Sequence, residues 1–192
     1  MSAIKDAIIV VSGLPRSGTS MMMKMLNAGG IDPVTDNIRT ADEDNPKGYY
    51  ELEKVKQLDK DNSWVANCQG KVIKVISMLL KPLPADQHYK IIFMRRKMQE
   101  ILDSQKQMLI RRNQPTNTVP DEKMAEMFNK HLKDIEAFIE KQPNMDCIYI
   151  SYNDVLENPA TNVEKINEFL GGTMDTTAML EVVDTALHRQ RR

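Results

Sequence analysis

The sequence is poor in cysteine and carries almost no net charge. Its two cysteines, Cys68 and Cys147, lie far apart and fit neither a metal-ligand cluster nor a disulfide framework, which favours a reducing compartment. The 26 Lys and Arg residues nearly balance the 27 Asp and Glu residues, so no overall field attracts nucleic acid or a membrane surface. We therefore expect a cytoplasmic protein with no nucleic-acid or membrane partner.

Long hydrophobic runs are also missing from the sequence. The first 13 residues contain a five-residue apolar run, shorter than the core of a signal peptide, and no run approaches membrane-spanning length. A chain of 192 residues is nevertheless long enough to bury a substantial core. We expect one soluble domain over residues 1–192.

Four short apolar runs predict buried strands. They are Ile8–Val11, Val72–Met78, Ile91–Met94 and Ile148–Ile150. Helical patterns follow between residues 21 and 26, 98 and 109, 122 and 142, and 159 and 170. Because strands alternate with helices and no repeat appears, we predict an α/β fold of three layers, with a central parallel β-sheet covered by helices on both faces.

Two other segments have an unusual composition. The methionines at the first helical pattern, Met21, Met22 and Met25, predict core packing rather than a ligand-binding surface. The segment 36–61 is polar and acidic, with a turn signal at Asn45–Gly48. We interpret this segment as an excursion over the functional site.

A glycine-containing loop, GLPRSGTS at residues 13–20, follows the first predicted strand and lacks a lysine. Gly13 and Gly18 are spaced as in the phosphate-binding loop of nucleoside-triphosphatases, but Thr19 stands where such enzymes have Lys. The strand IIFMRR also ends in arginines where a magnesium-holding Asp is expected. A helix that starts after such a loop presents N–H groups at the positive end of its dipole. The loop therefore predicts an anion site, while both absences argue against metal-dependent ATP hydrolysis.

These residues resemble the 5′-phosphosulfate loop of the sulfotransferase family, in which a basic residue precedes Ser-Gly-Thr. Cytosolic members usually have Lys at the position of Arg16, whereas glycan-modifying members often have Arg. The chain is thus more similar to bacterial and glycan-type members than to cytosolic aryl or steroid enzymes. The resemblance implies a P-loop-like fold and the co-substrate 3′-phosphoadenosine 5′-phosphosulfate, with no metal required.

The resemblance also implies roles for the residues of the loop. Arg16 would bridge the sulfonate and the leaving phosphate oxygen. The co-substrate would be held by Pro15, Arg16, Ser17, Gly18, Thr19 and Ser20.

A second stretch, RKMQEILDS from Arg96 to Ser104, resembles the segment with which the family binds the 3′-phosphate of the donor. The family places an Arg after a central strand and a Ser eight positions later, which is the spacing here. An Arg at the end of a strand and a Ser on the next helix can meet one phosphate as cation and hydroxyl donor. The match is partial, since the family's Pro is Met98 here, and the neighbouring Arg95 could replace Arg96.

Weaker similarities extend the match over roughly residues 8–171. They are ISYNDVLENP at 150–159 and NPKGYYE at 45–51, the latter similar to a segment in bacterial members. The C-terminal R-K-G loop and the following G-x-W-K of the cytosolic enzymes are not found in the sequence. The basic ending LHRQRR at 187–192 either replaces them or forms a frayed, charged tail.

An acceptor hydroxyl needs a base, for which the family uses His or Glu. The histidines fit structural or solvent-facing positions better than a catalytic one; they are His88, His131 and His188. Glu51 is the preferred candidate because the acidic excursion should pass over the carboxyl edge of the sheet, where α/β proteins bind ligands, and Glu43 is the second. Lys74 either directs a cation at the transferring sulfonate or extends from its strand to solvent.

Three functions are compatible with these patterns. The leading prediction is a sulfotransferase that transfers a sulfonate group to a hydroxyl or amine of a small-molecule or glycan acceptor. A nucleotide kinase or NTPase with a degenerate loop and a non-catalytic nucleotide-binding protein are the alternatives. The acceptor is not identified, since five Tyr, four Phe and one Trp form no aromatic-rich segment of the kind that suggests a steroid or phenol pocket.

Overall fold

The computed structural model of the protein describes residues 4–36, 38, 50–116 and 118–183. Its strands are β1 (Ile8–Gly13), β2 (Val72–Lys74), β3 (Tyr89–Arg95) and β4 (Met145–Ser151). They pair in parallel in the order β2-β1-β3-β4. The strand order therefore reverses between β1 and β3, because the chain leaves β1 toward one edge of the sheet and leaves β3 toward the other. Such a reversal opens a crevice at the carboxyl ends of the strands, where open α/β sheets bind ligands.

Helices cover both faces of this sheet. They are α1 (Thr19–Ala28), α2 (Met98–Arg111), α3 (Asp121–Glu140), α4 (Tyr152–Glu157), α5 (Pro159–Phe169) and α6 (Thr176–Glu181). Short 3₁₀ helices lie at Ile4–Asp6, Glu53–Gln57, Ser63–Cys68 and Ser77–Leu79. The four helical patterns of the sequence correspond to α1, α2, α3 and α5. Helices α4 and α6 were not predicted, because six residues are too few to establish a helical period.

Alternate residues of β1 face opposite layers of the molecule. Ile8 and Val10 belong to a buried cluster that includes residues of α3, and Ile9 and Val11 belong to a second cluster with residues of α1 and α5. Met22, Met23 and Met25 of α1 are fully buried in this second cluster, and the predicted Met21 is only partly buried against it. The three-layer α/β fold with a central parallel sheet is therefore confirmed.

One strand is shorter than its apolar run indicates. The run Val72–Met78 predicts a strand throughout, but β2 ends at Lys74. The Val75 N–H still donates to the carbonyl of Val11 at 3.0 Å. The partner strand then ends at Gly13, and the chain beyond Val75 turns into the 3₁₀ helix at Ser77–Leu79. Val75 is fully buried although it lies outside the sheet. Its apolar side chain therefore indicates burial in the core and not membership of a strand.

Strands β3 and β4 begin earlier than their apolar runs because polar residues take part in the pairing. Lys90 lies opposite Asp146 near the amino ends of the two strands. Its ammonium group is nearly buried, donates to the carbonyl of Phe169 at 3.1 Å and lies 3.7 Å from the carboxylate of Asp146. A buried lysine is tolerated when its charge is paired in this way.

Candidate functional site

The candidate site lies at the carboxyl ends of β1 and β3, where the strand order reverses. The loop after β1 leads into α1, and the residues after β3 lead into α2. Both loops therefore reach the same edge of the sheet, as the two sequence motifs require.

The loop between β1 and α1 is tightly constrained. Arg16 has a φ of 72°, in the left-handed region that non-glycine residues rarely adopt, and Gly18 has a φ of 99°. The hydroxyl of Ser17 donates to the carbonyl of Leu14 at 2.7 Å, inside the loop. A Cβ atom on Gly18 would lie 2.4 Å from Cδ2 of Tyr152, so this glycine is required by both its conformation and its contact.

The loop and the second motif meet directly. The Nε atom of Arg16 donates to the hydroxyl of Ser104 on α2 at 2.9 Å. Ser104 is buried, although it lies on the helix that follows β3. Two motifs that are 88 residues apart in the sequence thus converge on one point.

The two arginines at the end of β3 point to different neighbours. Arg96 donates from Nη1 to the carbonyl of Arg16 at 3.1 Å, so it contacts the loop. Arg95 forms an ion pair with Glu136 of α3 and lies 5.3 Å from the ring centroid of Tyr149. Of the two, Arg96, which follows the last residue of β3, is the one that donates to the loop, whereas Arg95 at the end of β3 pairs with α3.

A third cation reaches the site from the adjacent strand β2. The Lys74 ammonium group donates to the hydroxyl of Ser20 at 3.1 Å and lies 3.6 Å from a carboxylate oxygen of Glu51. The side chain of Lys74 is only 8% exposed, so it does not extend to solvent. The loop has Thr19 in place of a lysine, and the strand next to it supplies a positive charge at the first turn of α1.

A cavity of about 410 Å³ opens beside these residues. Six of the predicted site residues line it: Pro15, Arg16, Thr19, Ser20, Glu51 and Lys74. The remaining wall is formed by Leu52, Val55, Lys56, Ile76, Leu79, Gln105, Met108 and Arg112. Ser17 instead lines a second cavity of about 340 Å³, together with both Arg95 and Arg96.

A buried polar network that no sequence motif predicts lies behind the loop. Glu100 of α2 is fully buried and accepts hydrogen bonds from Arg96 at 2.8 Å and from Asn153 at 2.9 Å. The guanidinium of Arg96 also lies 4.5 Å from the ring centroid of Tyr152. The spacing of Arg96 and Glu100, four residues at the start of a helix, is a signal that could have suggested their pairing. The contact with Asn153 depends on the tertiary fold.

The candidate bases lie at different distances from the loop and its cavity. His131 lies 2.9 Å from the Ser77 hydroxyl, where it connects α3 to the chain after β2, and burial lowers its pKa. The carbonyl of His88 accepts from the N–H of Ile8 at the start of β1, which places His88 at the opposite edge of the sheet from the loop. Among the candidates within the described residues, Glu51 alone lines the 410 Å³ cavity.

Some predicted features lie outside the described residues. They are Glu43, His188, the turn at Asn45–Gly48 and the basic ending at 187–192. In the described part of the chain, no helix combines the length and the apolar composition needed to cross a membrane.

Known proteins are similar to this chain in two ways: solved structures share its fold, and a family model matches its sequence. A family model described as "Sulfotransferase domain" matches residues 6–190. The mouse sulfotransferase SULT7A1 complexed with PAP is similar at 19% identity and a TM-score of 0.57, over 95% of this chain and 64% of that chain. No curated protein matches the chain.

Two bacterial structures are similar over more of their length. The sulfotransferase domain of the Synechococcus PCC 7002 olefin synthase shares 16% identity at a TM-score of 0.55, over 98% of this chain and 81% of that chain. Sulfotransferase STF9 from Mycobacterium avium shares 13% identity at a TM-score of 0.54, over 100% of this chain and 70% of that chain. Identities this low indicate the fold alone, whereas the family model spans nearly the whole sequence. The chain belongs to the sulfotransferase domain family.

Proposed function

We propose that the protein transfers a sulfonate group from 3′-phosphoadenosine 5′-phosphosulfate to a hydroxyl or amine of a small-molecule or glycan acceptor. The observation that carries the proposal is the hydrogen bond of 2.9 Å between Arg16 and Ser104. The donor carries phosphate groups at both its 5′ and 3′ positions, and it requires two neighbouring anion sites. The contact between the two motifs supports two candidate anion sites that lie side by side, as this donor requires. An ordinary nucleoside phosphate, with phosphate at one position only, does not need the second site.

The chemistry of the residues fits such a donor. The loop offers N–H groups at the start of α1, together with the hydroxyls of Thr19 and Ser20 and the cation of Arg16. Arg96 and Ser104 offer a cation and a hydroxyl for the 3′-phosphate. The solved mouse sulfotransferase was complexed with PAP, which favours the same class of ligand for this chain.

The proposed transfer needs positive charge and one base. The bond between sulfur and the donor phosphate oxygen breaks, a bond from sulfur to the acceptor oxygen or nitrogen forms, and the acceptor proton passes to the base. Arg16 and Lys74 stabilise the negative charge on the sulfonate and the leaving phosphate. The carboxylate of Glu51 takes the proton, and the acceptor occupies the 410 Å³ cavity that these residues line. No step requires a metal.

A thermal-shift screen tests the proposal before any acceptor is known. The ligands are 3′,5′-adenosine bisphosphate and AMP in the presence of a chelator, and ATP with magnesium. We expect the bisphosphate to give the largest increase in melting temperature, since a ligand at 100 times its dissociation constant adds about 2.7 kcal/mol to stability. An equal shift with AMP would remove the 3′-phosphate assignment.

The other outcomes of the screen favour the alternatives. Stabilisation by magnesium and ATP alone would indicate a degenerate kinase or NTPase. Binding of the bisphosphate without turnover across a panel of acceptors would indicate a non-catalytic nucleotide-binding protein. The cytoplasmic location stays a prediction, and fractionation of cells that express the tagged chain would test it.

A further inference from the structure

A fully buried carboxylate lies directly behind the loop. Glu100 is in the first turn of α2 and has no exposed surface. One of its oxygens accepts from Nε of Arg96 at 2.8 Å, and the other accepts from the amide nitrogen of Asn153 at 2.9 Å. Because a buried carboxylate is costly unless it is paired and hydrogen-bonded, these contacts fix the side chain in one position.

The partner of this carboxylate supports the loop. Arg96 donates from Nη1 to the carbonyl of Arg16 at 3.1 Å. Arg16 is the residue with the left-handed backbone, a conformation that persists in a non-glycine residue only when its surroundings enforce it. The guanidinium of Arg96 also stacks on Tyr152, whose ring packs against Gly18. Arg96 therefore contacts the loop on the backbone of Arg16 and, through Tyr152, at Gly18.

We propose that Glu100 is a positioning residue for the donor site. It holds Arg96 against the carbonyl of Arg16 and so fixes the backbone conformation in which the loop presents its N–H groups to the anion. The inference rests on the proposed function for the identity of the donor, but the effect on the loop does not depend on any ligand. Arg96 then stabilises the conformation of the loop, in addition to its proposed contact with the 3′-phosphate.

The main variant is Glu100→Gln. Glutamine replaces one acceptor oxygen with an NH₂ group, and both neighbours, Arg96 and Asn153, are donors, so one hydrogen bond is lost together with the charge. The rescue variant is Glu100→Gln combined with Asn153→Asp. The glutamine NH₂ then faces a carboxylate while its oxygen still accepts from Arg96, which restores the donor and acceptor pattern and returns the negative charge.

The matched control is Lys90→Gln. Lys90 is another charged residue that is nearly buried, but it lies at the start of β3, at the opposite end of the strand from the loop. Its loss reports the general cost of removing a buried charge from this part of the sheet.

Two measurements are made on each variant. The first is hydrogen exchange in the ligand-free protein at two amides that report the loop: Ser17, which donates to the carbonyl of Leu14 at 3.2 Å, and Met22, which donates to the carbonyl of Gly18 at 3.2 Å. The second is the affinity for 3′,5′-adenosine bisphosphate. We expect Glu100→Gln to accelerate exchange and weaken binding by about tenfold each, the scale of one lost charged hydrogen bond. Lys90→Gln should change both by less than about twofold, as expected for distant sites. The rescue variant should recover much of both losses.

The inference is overturned if Glu100→Gln leaves exchange in the loop unchanged, if Lys90→Gln accelerates it equally, or if the rescue variant recovers neither quantity. If Glu100→Gln does not fold, Asn153→Ser removes the contact to the other oxygen, together with the longer contact of 3.5 Å from the N–H of Lys97, and is judged by the same criteria. A wild-type protein that does not bind the bisphosphate contradicts the proposed function instead, and the exchange measurement still decides the role of Glu100.

Discussion

At the scale of single residues, Arg16 connects the loop to the second motif and lines the cavity beside Lys74. We predict that Arg16→Ala lowers turnover by about a hundredfold or more, the scale of a deleted group that stabilises developing charge. Affinity for 3′,5′-adenosine bisphosphate should fall less, because the N–H groups of the loop still hold the ground-state phosphate. The measurement is release of the bisphosphate in an acceptor-dependent assay, beside calorimetric binding.

The control for this prediction is Arg16→Lys. It keeps the positive charge but loses the planar guanidinium that contacts Ser104. Turnover should therefore lie between that of the wild type and that of Arg16→Ala. Full turnover in Arg16→Ala would show that the charge is supplied elsewhere, with Lys74 the next residue to test.

Glu51 is the second residue to which we assign a role specific to the proposed reaction. We predict that Glu51→Gln reduces kcat by about 10²- to 10⁴-fold, the usual contribution of a positioned base. Binding of the bisphosphate should remain near that of the wild type, because the carboxylate is assigned to the acceptor side. The measurement separates kcat from donor affinity in the same assay.

A nearby acid gives a matched control for Glu51→Gln. Glu53 lies two residues away, is more exposed and pairs with Lys56. Glu53→Gln removes the same charge from the same segment and should leave kcat within about twofold, as is usual for surface substitutions. Equal losses in both variants would indicate an effect of net charge, and the role of Glu51 as the base would be wrong.

At the scale of elements, the end of β3 separates two adjacent arginines: Arg95 is its last residue and pairs with α3, and Arg96 follows it and donates to the loop. We predict that Arg96→Ala weakens binding of 3′,5′-adenosine bisphosphate by about 1.5 to 3 kcal/mol, the value of a hydrogen bond to a charged group. Arg95→Ala should leave this affinity nearly unchanged, because Arg95 pairs with Glu136 of α3. Titration calorimetry on the folded variants measures both.

The comparison is informative because the two arginines are adjacent in the sequence but have different partners, the loop for Arg96 and Glu136 of α3 for Arg95. A larger loss in Arg95→Ala than in Arg96→Ala would reverse the assignment of the 3′-phosphate site. Arg96→Ala should also lose stability, since it leaves the buried Glu100 without its charged partner.

The arrangement of the elements also explains which parts of the site can be predicted from the sequence and which cannot. The loop from Gly13 to Ser20 and the eight-residue spacing of Arg96 and Ser104 are local patterns, so a single sequence is enough to recognise them. The approach of Lys74 to Ser20 requires β2 to lie beside β1, and strand order is not written in any local pattern. The network of Glu100 and Asn153 likewise joins the first turns of α2 and α4, which are more than 50 residues apart.

Apolar patterns had a different limitation. They predicted the strands and the main helices because burial and secondary structure usually coincide. They failed where the two separate, as at Val75, which is buried beyond the end of β2, and at Lys90, which is in β3 although it is charged. The reason is physical, since the spacing of apolar residues indicates which side chains are buried but not which backbone groups form hydrogen bonds between strands.

At the scale of the whole molecule, the two buried clusters lie on opposite faces of one sheet, and β3 contributes adjacent residues to both. Ile91 belongs to one cluster and Ile92 to the other, and both are fully buried. We predict that Ile91→Val and Ile92→Val each reduce the free energy of unfolding by about 0.5 to 1.5 kcal/mol. The double variant should lose the sum to within about 0.5 kcal/mol, because the two side chains share no packing partner across the sheet.

A pair on one face provides the contrast. Val10 of β1 lies directly opposite Ile91 and belongs to the same cluster. Val10→Ala combined with Ile91→Val should deviate from additivity by about 0.5 kcal/mol or more, since neighbouring cavities relax together. Urea denaturation of the single and double variants gives both coupling energies. A large coupling between Ile91 and Ile92 would mean that the sheet transmits strain between its layers. The loop after β1 and the motif after β3 would then respond to packing on either face, and donor affinity in these core variants would have to change with stability.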